Sequence, residues 1–420
     1  MKEKSSPKIV MRTLFFVTLS VLVVVLFVFY PRWPTSKTLR HQTVEHLDMY
    51  TKWTHSPNHI LTPHTIRIIV PSGSIGTATD AEIYNKLIPG SKVLFIDYDE
   101  PSSHPEAAQK SDINIYIEDI PNGDSLFPCS RKILMFNQDV SPVSCLARAD
   151  VVMCKTRYAL SLVVSFPGLK GKCVYVPHSS NDVLSDGVVP SKDYNLFVHL
   201  AGKSHLKNTA EVLDAWLEAK GFPEMGYPRL VITCKNGCLS PAIRSALTSF
   251  VRKEDGQLVH PLYPNIEVWD AMPSEKYVHL QKLAGFYICP SLTEGYGHYI
   301  NEGRGAGAVV ISTDGPPMNE LITPEIGILV KPVSSGPSPN NIRGGSSFKI
   351  SSDEVQKAVR IAKSLPREAL ESMGRKARDA YLRDTFEMAD VISLIIHDDH
   401  PTLPVSSSRH TVAPDRDQVY

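Results

Sequence analysis

Short continuous apolar runs recur along most of the chain, separated by amphipathic stretches. In the first half they are Ile66–Val70, Lys92–Ile96, Asp112–Ile117, Lys132–Phe136, Ala149–Cys154 and Val174–Val176. In the second half they are Asn195–Leu200, Arg229–Cys234, Asn265–Trp269, Phe286–Cys289, Ala308–Ile311 and a last strand over Ile326–Pro332. Runs of this length, rich in Val and Ile and bounded by turn residues, read as strands buried on both faces. Between them, helices are predicted over Asp80–Leu87, from Lys155–Tyr158 onward, over Thr209–Ala219, from Pro273–Tyr277 onward and over Tyr299–Gly305. Alternating strands and helices imply an α/β fold with parallel sheets. Ser351-x-x-Glu354 is a capping box, and Val355, Ala358, Val359, Ala362 and Leu365 form the apolar stripe of the helix it opens. Pro366 ends that stripe, and two more helices are expected, from Arg367 to about Asp384 and from Glu387 to His397.

The pattern changes at both ends. Thr13–Tyr30 is an 18-residue apolar run. As a helix it is about 27 Å long, enough for a thin bilayer. Four basic residues precede it and three follow, and the bulky Phe29-Tyr-Pro-Arg-Trp33 offers no signal-peptidase site. The expectation is an uncleaved signal anchor: a cytoplasmic tail (1–12), a transmembrane helix (13–30) and a polar stem (31–63). The protein would then be a single-pass type II membrane protein of the Golgi or endoplasmic reticulum, with a cytosol-facing orientation as the topological variant. An odd cysteine count, seven, and the lack of any Asn-x-Ser/Thr site weigh against a lumenal placement. Cys234-x3-Cys238 reads as two ordinary thiols rather than a disulfide, and no His/Cys spacing suggests a metal. Residues 399–420 are polar, rich in Pro and Ser, and read as disordered. With 44 basic and 44 acidic residues the chain carries no nucleic-acid footprint.

The chemistry concentrates in Cys289-Pro-Ser-Leu-Thr-Glu-Gly-Tyr-Gly-His-Tyr-Ile-Asn-Glu302. Here a strand ends, a turn containing Gly295 and Gly297 follows, and a helix begins. Open α/β sheets bind ligands at such a strand's carboxyl end, and the free N–H groups of a helix start favour an anion. Glu294 and Glu302 bracket the turn and can accept hydrogen bonds from sugar hydroxyls. These residues, with Pro290, Ser291 and the strand containing Val309-Val310, resemble the Glu-x7-Glu signature of retaining GT-B glycosyltransferases of family four. In place of the family's usual Leu-Pro and Ala-Met-Ala stand His298-Tyr299 and Gly303-Arg304-Gly305.

The resemblance implies two Rossmann-like domains, an acceptor domain over 64–180 and a nucleotide-sugar domain over 195–350. Helices over 351–398 would follow, with the last one packing back on the first domain. It implies transfer of a sugar from a GDP- or UDP-sugar to a glycan, protein or lipid acceptor, with retention and without a metal. It also implies that Glu302 holds the ribose, that Glu294 contacts the sugar, and that Lys203 and Lys207 hold the diphosphate beside Gly202. Gly295, Tyr296, Gly297 and His298 would line the donor, and Gly73, in the loop after the first strand, would approach the phosphates and acceptor. Asn137 and Asp139, at the end of another strand, are candidates for acceptor contact. Two other readings stay open on the residues alone. Asp97-x-Asp99 after a buried strand could hold Mn²⁺ or Mg²⁺ in a GT-A-type transferase. The chain could also be a non-catalytic, membrane-tethered binder of nucleotide-sugars.

Overall fold

The structure, a computed structural model, describes residues 60, 62–73, 75–97, 108–122, 124–169, 171–235, 240–338 and 345–397. The expected tail and membrane segment, most of the expected stem, Asp99, Cys238 and residues 399–420 lie outside these. No helix among the described residues is long and apolar enough to cross a membrane.

The first lobe is built from β1 (Ile66–Pro71), α1 (Ile75–Leu87), β2 (Lys92–Ile96), β3 (Ser111–Ile117), β4 (Cys129–Phe136), α2 (Val143–Arg148), β5 (Val151–Cys154), α3 (Arg157–Val163) and β6 (Cys173–Tyr175). Its strands run parallel in the order β2-β1-β3-β4-β5-β6. The chain leaves β1 outward to β2 and returns to β3 on the other side. The carboxyl ends of β1 and β3 therefore flank a crevice that no crossover helix covers.

The second lobe comprises β7 (Asp193–Gly202), α4 (Thr209–Glu218), β8 (Arg229–Cys234), α5 (Pro241–Leu247), β9 (Val251–Arg252), β10 (Leu258–Val259), β11 (Ile266–Trp269), α6 (Ser274–Leu283), β12 (Ala284–Cys289), α7 (His298–Gly305), β13 (Val309–Thr313), α8 (Met318–Leu321) and β14 (Gly327–Val330). The sheet order is β14-β13-β12-β7-β8-β11-β10-β9. It is parallel from β14 to β11, and β10 pairs antiparallel with both its neighbours. Its switch point lies between β7 and β12, so the loops that follow these two strands meet.

Several expectations need correction. Gly327–Val330 is not the last strand, because a hairpin of β15 (Ser334–Pro337) and β16 (Ser346–Lys349) follows it. After α9 (Ser352–Ser364), the two expected helices form one, α10, continuous from Arg367 to His397. No Gly or Pro lies between Asp384 and Glu387, so nothing in the backbone forces a break there. Cys234 is disulfide-bonded rather than a free thiol. Ser351 caps α9 as expected, its Oγ accepting from Glu354 N at 3.4 Å, while the Glu354 carboxylate pairs with Lys357.

Helix α10 ties the lobes together. Its Tyr381 packs beneath α7, where a side chain on Gly305 would come within 3.2 Å of the ring. Further along, Met388, Ile392, Ile395 and Ile396 join Ile68, Val70 and Ile115 in the core of the first lobe. Ile395 is fully buried there. Ile395→Ala should cost about 2–5 kcal/mol, read as a lower midpoint of urea unfolding, whereas Leu394→Ala, on the exposed side of the same turn, should cost under about 0.5 kcal/mol.

Candidate active site

The two loops at the switch point of the second lobe are hydrogen-bonded to each other, Leu292 N donating to Leu206 O at 2.9 Å. Beneath them His199 of β7 bridges Ile288 O (Nδ1, 2.7 Å) and Thr209 Oγ1 (Nε2, 2.9 Å). It thereby fixes β7, β12 and α4 together. Burial holds this imidazole down to about 4, so it stays neutral as a structural bridge.

On this base Lys207 forms an ion pair with Glu294, whose carboxylate also accepts from Ser291 Oγ. The Ser291 and Tyr299 hydroxyls are hydrogen-bonded, and the Lys207 ammonium lies 4.1 Å from the centre of the Tyr299 ring. Glu294 is 8% exposed, so its charge is held by these partners rather than by water. Glu302, about one turn along α7, accepts from Gln281 Nε2 at 3.3 Å and has no ion pair among the described residues. Burial raises its carboxyl above the ordinary value, partly offset by His298 and Lys207.

The first lobe closes on this loop. Gln138 Nε2 donates to Glu294 O at 2.6 Å, and Thr293 Oγ1 donates to Asp139 Oδ1 at 3.3 Å. Asn137 Nδ2 donates to Glu118 Oε1 at 2.6 Å, and Glu118 sits in the left-handed region, φ 66°. Gly295 lies flat against Asn137, and a Cβ there would stand 2.3 Å from Asn137 Oδ1. Burial, and then the Glu294 charge, push the Asp139 carboxyl up to about 6.

A second polar cluster spans the lobes next to the first. Asp80 of α1 accepts from Lys155 Nζ on Oδ2 (3.0 Å), while its Oδ1 faces His178 Nε2 (2.6 Å) and His298 Nε2 (3.0 Å). Burial alone would raise the Asp80 carboxyl, but Lys155 and the two imidazoles hold it well below the ordinary value. Burial takes His178 down to about 4.

Of the residues singled out from sequence, the fold thus gathers Lys207, Glu294, Gly295, Glu302, His298, Asn137 and Asp139 around one gap. Gly297 ends the loop at φ 105°. Gly202 ends β7, Lys203 is exposed just beyond it, and Gly73 is exposed in the loop after β1. Tyr296 differs from the expectation. It is buried and its hydroxyl donates to His178 O at 2.5 Å, so it packs one lobe on the other and is closed to a ligand. Asp97 is exposed at the end of an edge strand. The unusual Gly303-Arg304-Gly305 is a packing feature. A Cβ on Gly303 would lie 2.9 Å from the Tyr287 ring, and Arg304 is buried against Asp384 (2.6 Å) and Asn301 (2.8 Å). Ser291 and Tyr299 stand in the motif but were given no role of their own from sequence, and neither were Glu118, Asp80, Lys155 and His178. A separate cavity of about 390 Å³, lined by Arg304, Glu320, Lys376, Asp379 and Arg383 among others, shares no residue with the Lys207–Glu294 pair.

Two parallel-sheet lobes with facing switch points and a C-terminal helix returning to the first lobe define the architecture. Among solved structures, a glycosyltransferase from Rickettsia africae ESF-5 superposes with a TM-score of 0.55 at 13% identity, over 80% of this chain and 99% of its own. The chain has the GT-B fold. Anabaena HepE in complex with UDP and glucose (TM-score 0.54, 11% identity, 79% and 99% covered) is similarly placed. Sucrose-phosphate synthase from Thermosynechococcus elongatus gives the same values. Neither the protein-family models nor the curated proteins contain a match by sequence. The GT-B architecture, with two separate sheets, gives no support to a GT-A centre built on Asp97 and Asp99.

Two predictions concern the loop contact. Gly295→Ala must displace Asn137 from Glu118, at a cost of about 1–3 kcal/mol. Adding Asn137→Ala should recover part of that loss, so the double variant unfolds at higher denaturant than additivity gives. For Asp139, the native carboxyl keeps a proton that the unfolded chain releases between about pH 4 and 6. Its contribution is therefore full below pH 4 and lost as pH rises through 6. Asp139→Asn should raise the melting temperature at about pH 7.5 and much less at about pH 4.5, with an upper bound of roughly 3 kcal/mol.

Proposed function

We propose that this protein is a membrane-anchored glycosyltransferase, moving a sugar from a nucleotide-diphosphate donor to a glycan, protein or lipid acceptor with retention at the anomeric carbon. The observation that carries the reading is the buried Lys207–Glu294–Ser291 group at the switch point of the second lobe, facing the crevice of the first. Lys207, helped by the exposed Lys203, neutralises charge that grows on the nucleoside diphosphate as the glycosidic bond breaks, stabilising the transition state more than the ground state. Glu302, a half-buried carboxyl with no ion pair among the described residues, suits a ribose diol, since each hydroxyl supplies a donor. Glu294 orients the sugar hydroxyls while Lys207 holds it in place. Asn137 and Asp139 stand on the acceptor side. The departing phosphate oxygen takes the acceptor's proton, so no separate base is needed, and the diphosphate is held by ammonium groups rather than by a metal. HepE, which has the same fold, binds UDP and glucose, which supports a nucleotide-sugar donor. The apolar run Thr13–Tyr30 supports a membrane anchor, and a disulfide at Cys234 suits an oxidising lumen such as that of the Golgi or endoplasmic reticulum.

The test is a thermal-shift screen of the full-length protein against UDP, GDP and their sugars, followed by transfer assays on the hit. Lys207→Ala and Glu294→Ala should each lower turnover about 10²–10³-fold. Lys203→Ala, at an exposed position, should fold normally and weaken the nucleotide-induced shift. No shift with any nucleotide, or transfer that survives Lys207→Ala, would refute the proposal.

A further inference from the structure

Asp80, His178 and His298 come from three separate parts of the fold: α1, the segment crossing between the lobes, and the start of α7. We infer that these three side chains form a binding site for one divalent transition-metal ion of the zinc class, bridging the two lobes.

The geometry is that of a ligand set. One ligand atom from each residue lies within 4.8 Å of those of the other two, and Asp80 Oδ1 faces both His178 Nε2 and His298 Nε2. A zinc ion held at about 2.0–2.2 Å from each would separate tetrahedral ligand atoms by roughly 3.3 Å. The oxygen stands 2.6 Å and 3.0 Å from the two nitrogens, so it must part from them by under about 1 Å. No pair needs to close by more than about 1.5 Å. Two imidazoles and one carboxylate select zinc-like ions over Mg²⁺ and Ca²⁺, which prefer oxygen donors. Three protein ligands also leave a fourth position open.

The surroundings hold these ligands in place. Lys155 bonds the other carboxylate oxygen, Oδ2, at 3.0 Å and so orients Asp80 without occupying the ligand face. Ser180 Oγ lies 3.0 Å from His298 Nδ1, where it can accept the proton that ligation through Nε2 places on that nitrogen. His178 is clamped by the Tyr296 ring, edge-on at 4.7 Å, and by the Tyr296 hydroxyl on its carbonyl. Its Nδ1 is buried without a hydrogen-bond partner. That atom is unsatisfied whether it carries a proton or a lone pair, so moving the proton from Nε2 to Nδ1 to free a ligand atom adds no further loss. Both imidazoles crowd one carboxylate oxygen, and an ion between them would satisfy all three at once. Because His298 belongs to the second lobe and Asp80 to the first, binding stabilises the closed arrangement of the lobes.

The experiment uses full-length protein stripped with chelator and titrated with Zn²⁺ by calorimetry, and with Co²⁺ by absorption. One equivalent of Zn²⁺ should bind, Co²⁺ should develop ligand-field bands, and Mg²⁺ should not bind. His298→Ala should weaken Zn²⁺ binding at least tenfold and abolish both the Co²⁺ bands and the rise in melting temperature with Zn²⁺. Asp80→Asn should do the same. Asp80 is buried, so if Asp80→Asn fails to fold, His298→Ala, at a partly exposed position, decides the matter. No stoichiometric ion, or Zn²⁺ binding unchanged by His298→Ala, which would place the ion on other histidines of the chain, would overturn the inference. The readout is metal binding and stability, so it stands or falls independently of sugar transfer.

Discussion

A carboxylate taken almost wholly out of water must be met by fixed partners, and much of this molecule's architecture supplies them to Glu294. Lys207 and Ser291 meet its oxygens, and Tyr299 backs both. Gln138 reaches across from the other lobe to its backbone carbonyl. The partners can converge only because β7 and β12 are neighbours at a switch point, which brings the loop after one strand against the loop after the other. Removing one partner of such a pair leaves an uncompensated buried charge, a loss of about 3–5 kcal/mol, larger than most single contacts provide. The pair is thus a poor source of stability and a demanding source of geometry. It suits a site that must present one cation and one anion at a fixed separation.

The second lobe was the more legible from sequence. Its central features are local: a buried run, two glycines in a turn and a carboxylate on each side, all within fourteen residues. Such spacing survives in the linear chain because one loop and one helix carry it. Even there the hydroxyls of Ser291 and Tyr299 gave no separate signal, since nothing in their spacing distinguishes a charge-orienting hydroxyl from a turn residue. The Asp80 cluster was not legible at all. Its members are 98 and 120 positions apart along the chain, and each taken singly looks ordinary: a helix aspartate, a linker histidine, a histidine after a glycine. Metal-ligand spacing rules act on ligands carried by one element, and here the ligands come from three. Glu118 was hidden for another reason. A left-handed backbone at a non-glycine residue is imposed by tertiary packing, and propensity cannot foresee it.

Misread elements have the same origin. Two helices were expected on either side of Thr385-Phe386, yet Arg304 bonds Asp384 and Thr385 bonds Ser179 along that stretch. Tertiary partners for its polar side chains let α10 run on without a break. The Gly303-Arg304-Gly305 departure from the family pattern is likewise explained by neighbours distant in sequence, since the rings of Tyr287 and Tyr381 occupy the space that larger residues would need.

The contacts between the lobes fall into two kinds with different energetics. Around the gap they are polar: Gln138 to Glu294, Thr293 to Asp139, His298 to Asp80, and the Glu320 carboxylate on the amides of Arg157 and Tyr158 at the start of α3. Each exchanges with water on separation, at a net cost of about 0.5–1.5 kcal/mol for a neutral bond and somewhat more for a charged one. At the far side they are apolar, with four aliphatic residues of α10 buried in the core of the first lobe. Each of these would lose about 1.5–3 kcal/mol on exposure. Contact for contact, the polar set costs less to break than the apolar one. A molecule built this way can admit a charged ligand between its lobes without giving up its core.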